Sequence, residues 1–317
     1  MCAEDRLRAV REWLAREGLD ALVVPTGDPH GSEYPAEHWQ CRRWLTGFTG
    51  SAGTAVVTQE EALLWTDSRY WIQAVEQLAG TGFVLMREGQ DERLETWLER
   101  HCRNVRWSYN EPFDEIWPDR PPLPHTTAWR MSDGTAGETA EAKLCRLTDY
   151  LRDNGLPGMY ISDLAEIAWV LNIRGGDIAY NPFVISFLYA SAAGNHVLYV
   201  AAAQVKELRD YLNGLGVSVK PYDEGLARHA GKTPLGQWKA VKNPVEQEGF
   251  RKAHLRDGVA MVRFLTRLEN AIRGGERVTE MWVDRELTAL RAEQEGFLSL
   301  SFETIAGFAA HGAVGHS

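Results

Sequence analysis

Cysteine is scarce in this chain. The four thiols, Cys2, Cys41, Cys102 and Cys145, are scattered over 317 residues, and none forms a CxxC pair. That spacing argues against a disulfide framework or a zinc knuckle and reads as free thiols in a reducing compartment. No apolar run approaches the ~20 residues needed to cross a bilayer. The opening MCAEDRLRAV lacks the apolar stretch of a secretory leader. We therefore expect a cytoplasmic protein with no membrane partner. Basic residues are also outnumbered: 34 Lys and Arg face 44 Asp and Glu, for a formal net charge of −10. A nucleic-acid binder needs a basic face to displace counterions from phosphate, so no such partner is expected. The phosphate-binding pattern GxxxxGKS/T, a proper GxGxxG and the zinc motif HExxH are all missing.

Aromatic and apolar residues are well supplied. Twelve tryptophans and a 44% hydrophobic content suit large buried surfaces. The length suggests at least two domains. An internal repeat points the same way. LRAVREWLAREGLDALVVPTGD, from Leu7, resembles LCRLTDYLRDNGLPGMYISDLAEI, from Leu144. Each has apolar residues at helical spacing (Leu7, Val10 and Leu14; Leu144, Leu147 and Leu151), then a glycine stop, then a short apolar strand. The helix starts Leu7 and Leu144, and the stops Gly18 and Gly155, are both 137 residues apart. A period of that size predicts two related α/β domains rather than a solenoid. The strands are expected at Ala21–Val24 and Met159–Ser162.

In the first copy, TAVVTQEEALLWTD predicts a hairpin of Thr54–Val57 and Ala62–Thr66. Gly47, Gly50 and Gly53 precede it and allow positive φ or close backbone approach. The plain reading of this loop is a tight turn into an edge hairpin. PFVISFLYASAAGNHVLYVAA is the matching hairpin of the second copy. The proline-rich stretch Asn110 to Pro124 predicts an extended linker and opposes a helix. From about Trp238 a third unit begins. Leu255, Val259, Val262 and Leu265 form one apolar stripe of a long helix, and Ala260, Phe264 and Leu268 another. Two apolar faces predict deep packing. Gly274-Gly275 should stop this helix. Thr279 should cap a second one with Val283, Leu287 and Leu290 inward and Gly296 beyond its end. FLSLSFETIAGF alternates like a strand. One helix pair and one strand cannot bury a core alone, so the third unit reads as incomplete.

Few groupings suggest chemistry. His30, His38, Glu33 and Glu37 share a loop-like stretch, for which a surface loop is the plain reading. His311 and His316 flank small residues. Carboxylates after residue 240, such as Asp257, Glu269, Asp284, Glu286, Glu293, Glu295 and Glu303, fall mainly on predicted helix faces and read as solvated. Arg69 ends the second hairpin strand in TDSRYW. Such an arginine is commonly a surface ion pair, although a guanidinium fork also suits a peptide carbonyl or carboxylate.

Taken in order, VVPTGDPHGSEYPAEHWQCRRWLTGFTGSAGTAVVT, LLWTDSRYWIQA, FDEIWPDRPPLP, EIAWVLNIRGGDIAYNPF, AVKNPVEQEGFRKAHLRDGVAMVRFL and SFETIAGFAAHGAVGH resemble the long, three-domain form of the aminopeptidase P (Xaa-Pro aminopeptidase) family. This family is part of the creatinase/pita-bread superfamily, and the resemblance runs over nearly the whole chain. It implies two related creatinase-N-type α/β domains, at 1–124 and 125–237. The start of a pita-bread α+β catalytic domain follows at 238–317. It also implies removal of an N-terminal residue from peptides with proline second, a homodimer, and two divalent metal ions, manganese by family habit. Two Asp, one His and two Glu hold these ions, and a bridging hydroxide attacks the peptide carbonyl. Arg69 is similar to a family arginine that reaches a substrate site across the dimer interface. His316 is similar to a family histidine that contacts substrate and transition state near the metals.

This chain departs from the pattern in three places. The family's metal ligands lie beyond the residue matching His316, so no metal ligand, bound metal or turnover is expected of this chain. The stretches near 103–110 and 222–238 look shortened, either because the gene product is abridged or because internal segments are absent. Other classes remain open: a noncatalytic dimerisation or peptide-binding module, and a creatinase-like C–N hydrolase. The two full-sized N-terminal domains weigh against the hydrolase.

Overall fold

The computed structural model describes residues 1–226 and 231–313. It divides into two compact units. The first comprises Met1–Pro29, Pro35–Leu123 and the described chain from Gly307. The second comprises His30–Tyr34 and Pro124–Ala306.

The first unit begins with α1 (Ala3–Glu17), which buries Leu7, Val10, Trp13 and Leu14 on one face. Gly18 ends it at φ 65°, the left-handed conformation that glycine adopts without steric cost. Then come β1 (Ala21–Pro25), α2 (Cys41–Thr46), the hairpin β2 (Thr54–Thr58) and β3 (Ala62–Thr66), α3 (Trp71–Gln77), β4 (Val84–Arg87), α4 (Leu94–His101), β5 (Val105–Trp107) and α5 (Phe113–Ile116). The sheet order is β4-β3-β2-β1-β5. β1 pairs antiparallel with β2 and parallel with β5, and β3 pairs parallel with β4. The β2–β3 hairpin is thus interior rather than at an edge, because β1 and β4 flank it. The unbroken run Ala21–Val24 follows from burial on both faces. Leu22 and Val24 meet Val10, Leu14 and Leu64 on one side, while Ala21 and Val23 meet Trp65, Trp97 and Leu98 on the other. Each such buried aliphatic side chain contributes about 1.5–3 kcal/mol.

The proline-rich stretch is not wholly extended. It contains α5, whose Phe113 and Ile116, with the following Trp117, join the core under α1. Burial of these three apolar groups outweighs the local proline bias.

The second unit repeats the plan. β6 (Trp129–Arg130) and the short α6 (Asp133–Ala136) lead into α7 (Ala140–Asp153), followed by β7 (Gly158–Ile161), α8 (Leu164–Val170) and β8 (Ile173–Arg174). The hairpin β9 (Phe187–Ser191) and β10 (His196–Tyr199), α9 (Arg209–Gly214) and β11 (Val217–Lys220) come next. Strand order is β11-β10-β9-β7, with β6 and β8 forming a separate pair. β7 pairs antiparallel with β9, and β10 parallel with β11, as β1 does with β2 and β3 with β4. Gly155 matches Gly18, at φ 64°. Beneath α7, Leu144, Leu147 and Leu151 pack on Leu188, Ala190 and Leu198. Aromatic Tyr160, Phe187 and Tyr222 fill the opposite side.

Beyond α10 (Asp223–Leu226) and α11 (Leu235–Ala240) lie α12 (Pro244–Arg273) and α13 (Glu280–Ala292). Asn243 and Glu246 form a capping box at the start of α12, and Thr279 accepts from Trp282 N at the start of α13. Ala260 and Phe264 pack against Leu287 and Leu290. The other stripe is not packed: Leu255, Val259, Val262 and Leu265 are exposed, with Leu255 at 71%. Deep burial of both faces was expected, but α13 covers only one. FLSLSFETIAGF is not a strand either. Its alternation finds no neighbouring sheet edge to pair with, and Leu298, Phe302, Ile305 and Phe308 are exposed.

Candidate functional site

Arg69 sits in the turn between β3 and α3, and the chain around it is fixed on several sides. Asp67 Oδ1 accepts from the Arg69 amide at 3.0 Å, closing the turn. Its carboxylate also takes both prongs of the guanidinium, Nε to Oδ1 and Nη2 to Oδ2, each at 2.8 Å. Arg69 holds the Asp67 carboxyl below the usual carboxylate range chiefly through this side-chain bonding. The guanidinium lies 5.1 Å over the ring of Tyr70, and its side chain is 52% exposed. It is therefore a charged fork on a rigid base, open to solvent and held by one carboxylate.

The glycine loop ahead of β2 supplies that base. Gly47 alone of its three glycines needs positive φ, at 77°. Gly50 and Gly53 serve close approach instead. A Cβ on Gly50 would come 2.3 Å from Phe48 and 2.8 Å from Tyr70, and one on Gly53 would come 3.0 Å from the Trp65 carbonyl. Arg42, which the sequence reading passed over, is buried behind this loop. Its Nε donates to Thr26 Oγ1 at 3.0 Å, and its two terminal nitrogens donate to the carbonyls of Phe48, at 2.6 Å, and Gly50. All three partners are neutral oxygens, and burial pushes the guanidinium down to about 10. The only sequence signal was an arginine pair, Arg42-Arg43, beside an apolar run, and it does not say which one turns inward.

The histidines do not converge. His30 is not on a surface loop. It is buried in the second unit, with Nδ1 bonded to Ser162 O at 3.0 Å and Nε2 to the Tyr222 hydroxyl at 2.8 Å. The Phe187 ring lies against it at 4.4 Å. His38 belongs to the first unit and bonds Pro121 O at 2.7 Å. His254 and His311 are exposed, and His316 lies outside the described residues.

The carboxylates of α12, α13 and the residues just after them are mostly exposed, as read, and arginines also tie several of them. Asp257 meets Arg291 at 2.6 Å, Glu286 meets Arg267 at 2.5 Å, and Glu293 meets Arg263 at 2.6 Å. Glu295 meets Arg256 at 2.8 Å, and Glu269 pairs within its helix with Arg273 at 2.5 Å. Among the described residues, no group of three or more His, Cys, Asp or Glu could hold a metal ion. The described residues do not fit a two-metal site, which needs several carboxylates free to face the same ions. No described helix is long and apolar enough to cross a membrane.

The matching sheets and their order define the class. Residues 6–110 and 119–230 each match the Creatinase/Prolidase N-terminal domain family. Over 98% of its length the chain is 31% identical to Aminopeptidase P1 of Arabidopsis thaliana, of which it covers 64%. Over 99% it is 28% identical to Aminopeptidase P2 of the same plant, of which it covers 57%. The fold of an X-prolyl aminopeptidase from Caenorhabditis elegans, described as a cytosolic enzyme with a di-nuclear active site, superposes on the whole chain. The TM-score is 0.92, with 26% identity and 64% of that protein covered. The chain thus carries two domains of the Creatinase/Prolidase N-terminal kind and is similar over its length to these aminopeptidases. It spans under two thirds of the length of these relatives. The two plant alignments run over 408 and 418 positions against 317 residues here. Those relatives therefore carry residues within the matched span that this chain lacks.

Proposed function

We propose that this chain is the N-terminal portion of a metal-dependent Xaa-Pro aminopeptidase, which removes the first residue from peptides with proline second. The observation that carries the reading is the end-to-end match, in order, to the C. elegans enzyme. The exposed apolar stripe of α12 supports it. A contiguous apolar face of this kind calls for a covering layer, and the relatives are long enough to supply one. The division at residues 124 and 237 is part of the proposal. So are a cytoplasmic location, a homodimer and a pair of divalent ions, manganese by family resemblance.

In this reading Arg69 offers its outward donors to the substrate, and His316 contacts substrate and transition state. The described residues do not assemble the metal pair, so no chemical step is assigned to them. In a full-length enzyme containing these domains, Arg69→Ala should lower kcat/KM for Xaa-Pro peptides about ten- to a hundredfold, the scale of one charge-assisted hydrogen bond. The melting temperature should be unchanged. Equal kcat/KM across several such peptides would reduce Arg69 to a surface ion pair.

A further inference from the structure

Arg42 is an expensive residue where it stands. A buried guanidinium loses its hydration and usually recovers it from a carboxylate. Here its bonds go to Thr26 and to two carbonyls of the glycine loop, Phe48 and Gly50, and its Cζ lies 4.8 Å from the centroid of the Phe48 ring. The loop so held is in turn packed against Tyr70. The Phe48 ring meets Tyr70 edge-on at 6.0 Å, and the Ser51 hydroxyl and the Tyr70 hydroxyl are 2.6 Å apart. Gly50 leaves the gap through which the two rings approach. Tyr70 is fully buried, and its ring is the surface on which the Arg69 guanidinium rests. A second strut closes the same turn, since Thr66 Oγ1 donates to Ala52 O at 2.7 Å. The path from Arg42 to Arg69 is therefore continuous: buried cation, loop carbonyls, Phe48 and Ser51, Tyr70, exposed cation.

We propose that Arg42 is a positioning residue that sets the orientation of Arg69 through the glycine loop and Tyr70. This rests on reading Arg69 as a substrate-contacting group. It assigns Arg42 no contact with substrate. The glycine loop is then a rigid bracket whose inner end is a cation. Such a bracket limits the rotamers of the outer one, so less freedom is lost when Arg69 engages a ligand.

The test is spectroscopic and uses the 317-residue chain itself. The Hε–Nε resonance of Arg69 is assigned by its disappearance in Arg69→Lys. Stacking on Tyr70 and pairing with Asp67 should place it away from the random-coil position, and Asp67→Asn provides a control that moves it by loss of the ion pair. Arg42→Met should shift this resonance toward the random-coil position while the backbone spectrum of the second unit is retained, and Arg42→Lys should restore part of the shift. Ser51→Ala, a change at an exposed side chain, should move it in the same direction by a smaller amount, and Arg42→Lys is the Arg42 variant read beside it if Arg42→Met does not fold. An Arg69 resonance unmoved in both Ser51→Ala and a folded Arg42 variant would overturn the proposal. Failure of the underlying reading looks different, since Arg69→Ala would then leave peptide kinetics intact whether or not the resonance moves.

Discussion

Lys143 shows how a single residue can stand against its surroundings. It lies on the buried face of α7, 1% exposed, with Nζ donating to Trp169 O at 2.6 Å and Asn172 Oδ1 at 2.7 Å. The ammonium also sits 4.4 Å over the Trp169 ring. Burial pushes its pKa down to about 8. The folded state then releases this proton at lower pH than the unfolded state, whose lysine titrates at the ordinary 10.5. Below pH 8 both states are protonated and the penalty of a buried cation is fully present. As pH rises from 8 towards 10.5 the penalty is relieved, so this group makes stability rise with pH. Denaturant unfolding across that window should show the rise, at most about 3 kcal/mol, in the parent relative to Lys143→Met. Parallel profiles for the two proteins would mean that the ammonium keeps its ordinary pKa. Sequence alone gave a faint signal here, a lysine at helical spacing between Ala140 and Leu147. Nothing in that spacing says that a carbonyl and an amide await it, because both come from α8 and the turn after it.

At the level of elements, local pattern predicted what local physics controls. The α1 and α7 stripes, their glycine stops, both hairpins and the Thr279 cap are where spacing and capping rules place them. The errors fall where a distant partner decides. FLSLSFETIAGF has strand alternation, but an alternating segment becomes a strand only beside another strand. Asn110 to Pro124 has linker composition, yet three apolar side chains draw part of it into a helix under α1. The second stripe of α12 is real in sequence and has no cover among the described residues. The two faces of that helix should therefore respond differently to substitution. Phe264→Ala removes a packed ring facing Leu287 and Leu290 and should destabilise the α12–α13 pair by about 3 kcal/mol. Leu255→Ser and Val262→Ser should each change stability by no more than about 0.5 kcal/mol, while lowering any concentration-dependent association of the chain. Hydrogen exchange along α12 would read the first effect and sedimentation the second. Equal destabilisation from both faces would show that the exposed stripe is packed after all.

For the molecule as a whole, the repeat was the most legible feature. Two sheets with matching strand order follow from two stretches of sequence 137 residues apart, set by the positions of Leu7 and Leu144. The candidate site was less legible. The sequence marked Arg69 by resemblance and strand-end placement. It could not show that Asp67 clamps the guanidinium or that Arg42 lies behind the loop, because those contacts depend on how three loops meet. The carboxylates beyond residue 240 are largely solvated, as read, and several of them also pair with arginines of the same helical hairpin. The central proposal is that these 317 residues hold the two N-terminal domains of an Xaa-Pro aminopeptidase without its metal pair. The most direct test is to purify the chain, add excess manganese, remove unbound ion, and measure bound metal beside hydrolysis of an Xaa-Pro-Pro peptide. The account predicts a folded protein with no stoichiometric metal and no metal-dependent release of the first residue. Two bound ions per chain with metal-dependent turnover would contradict it.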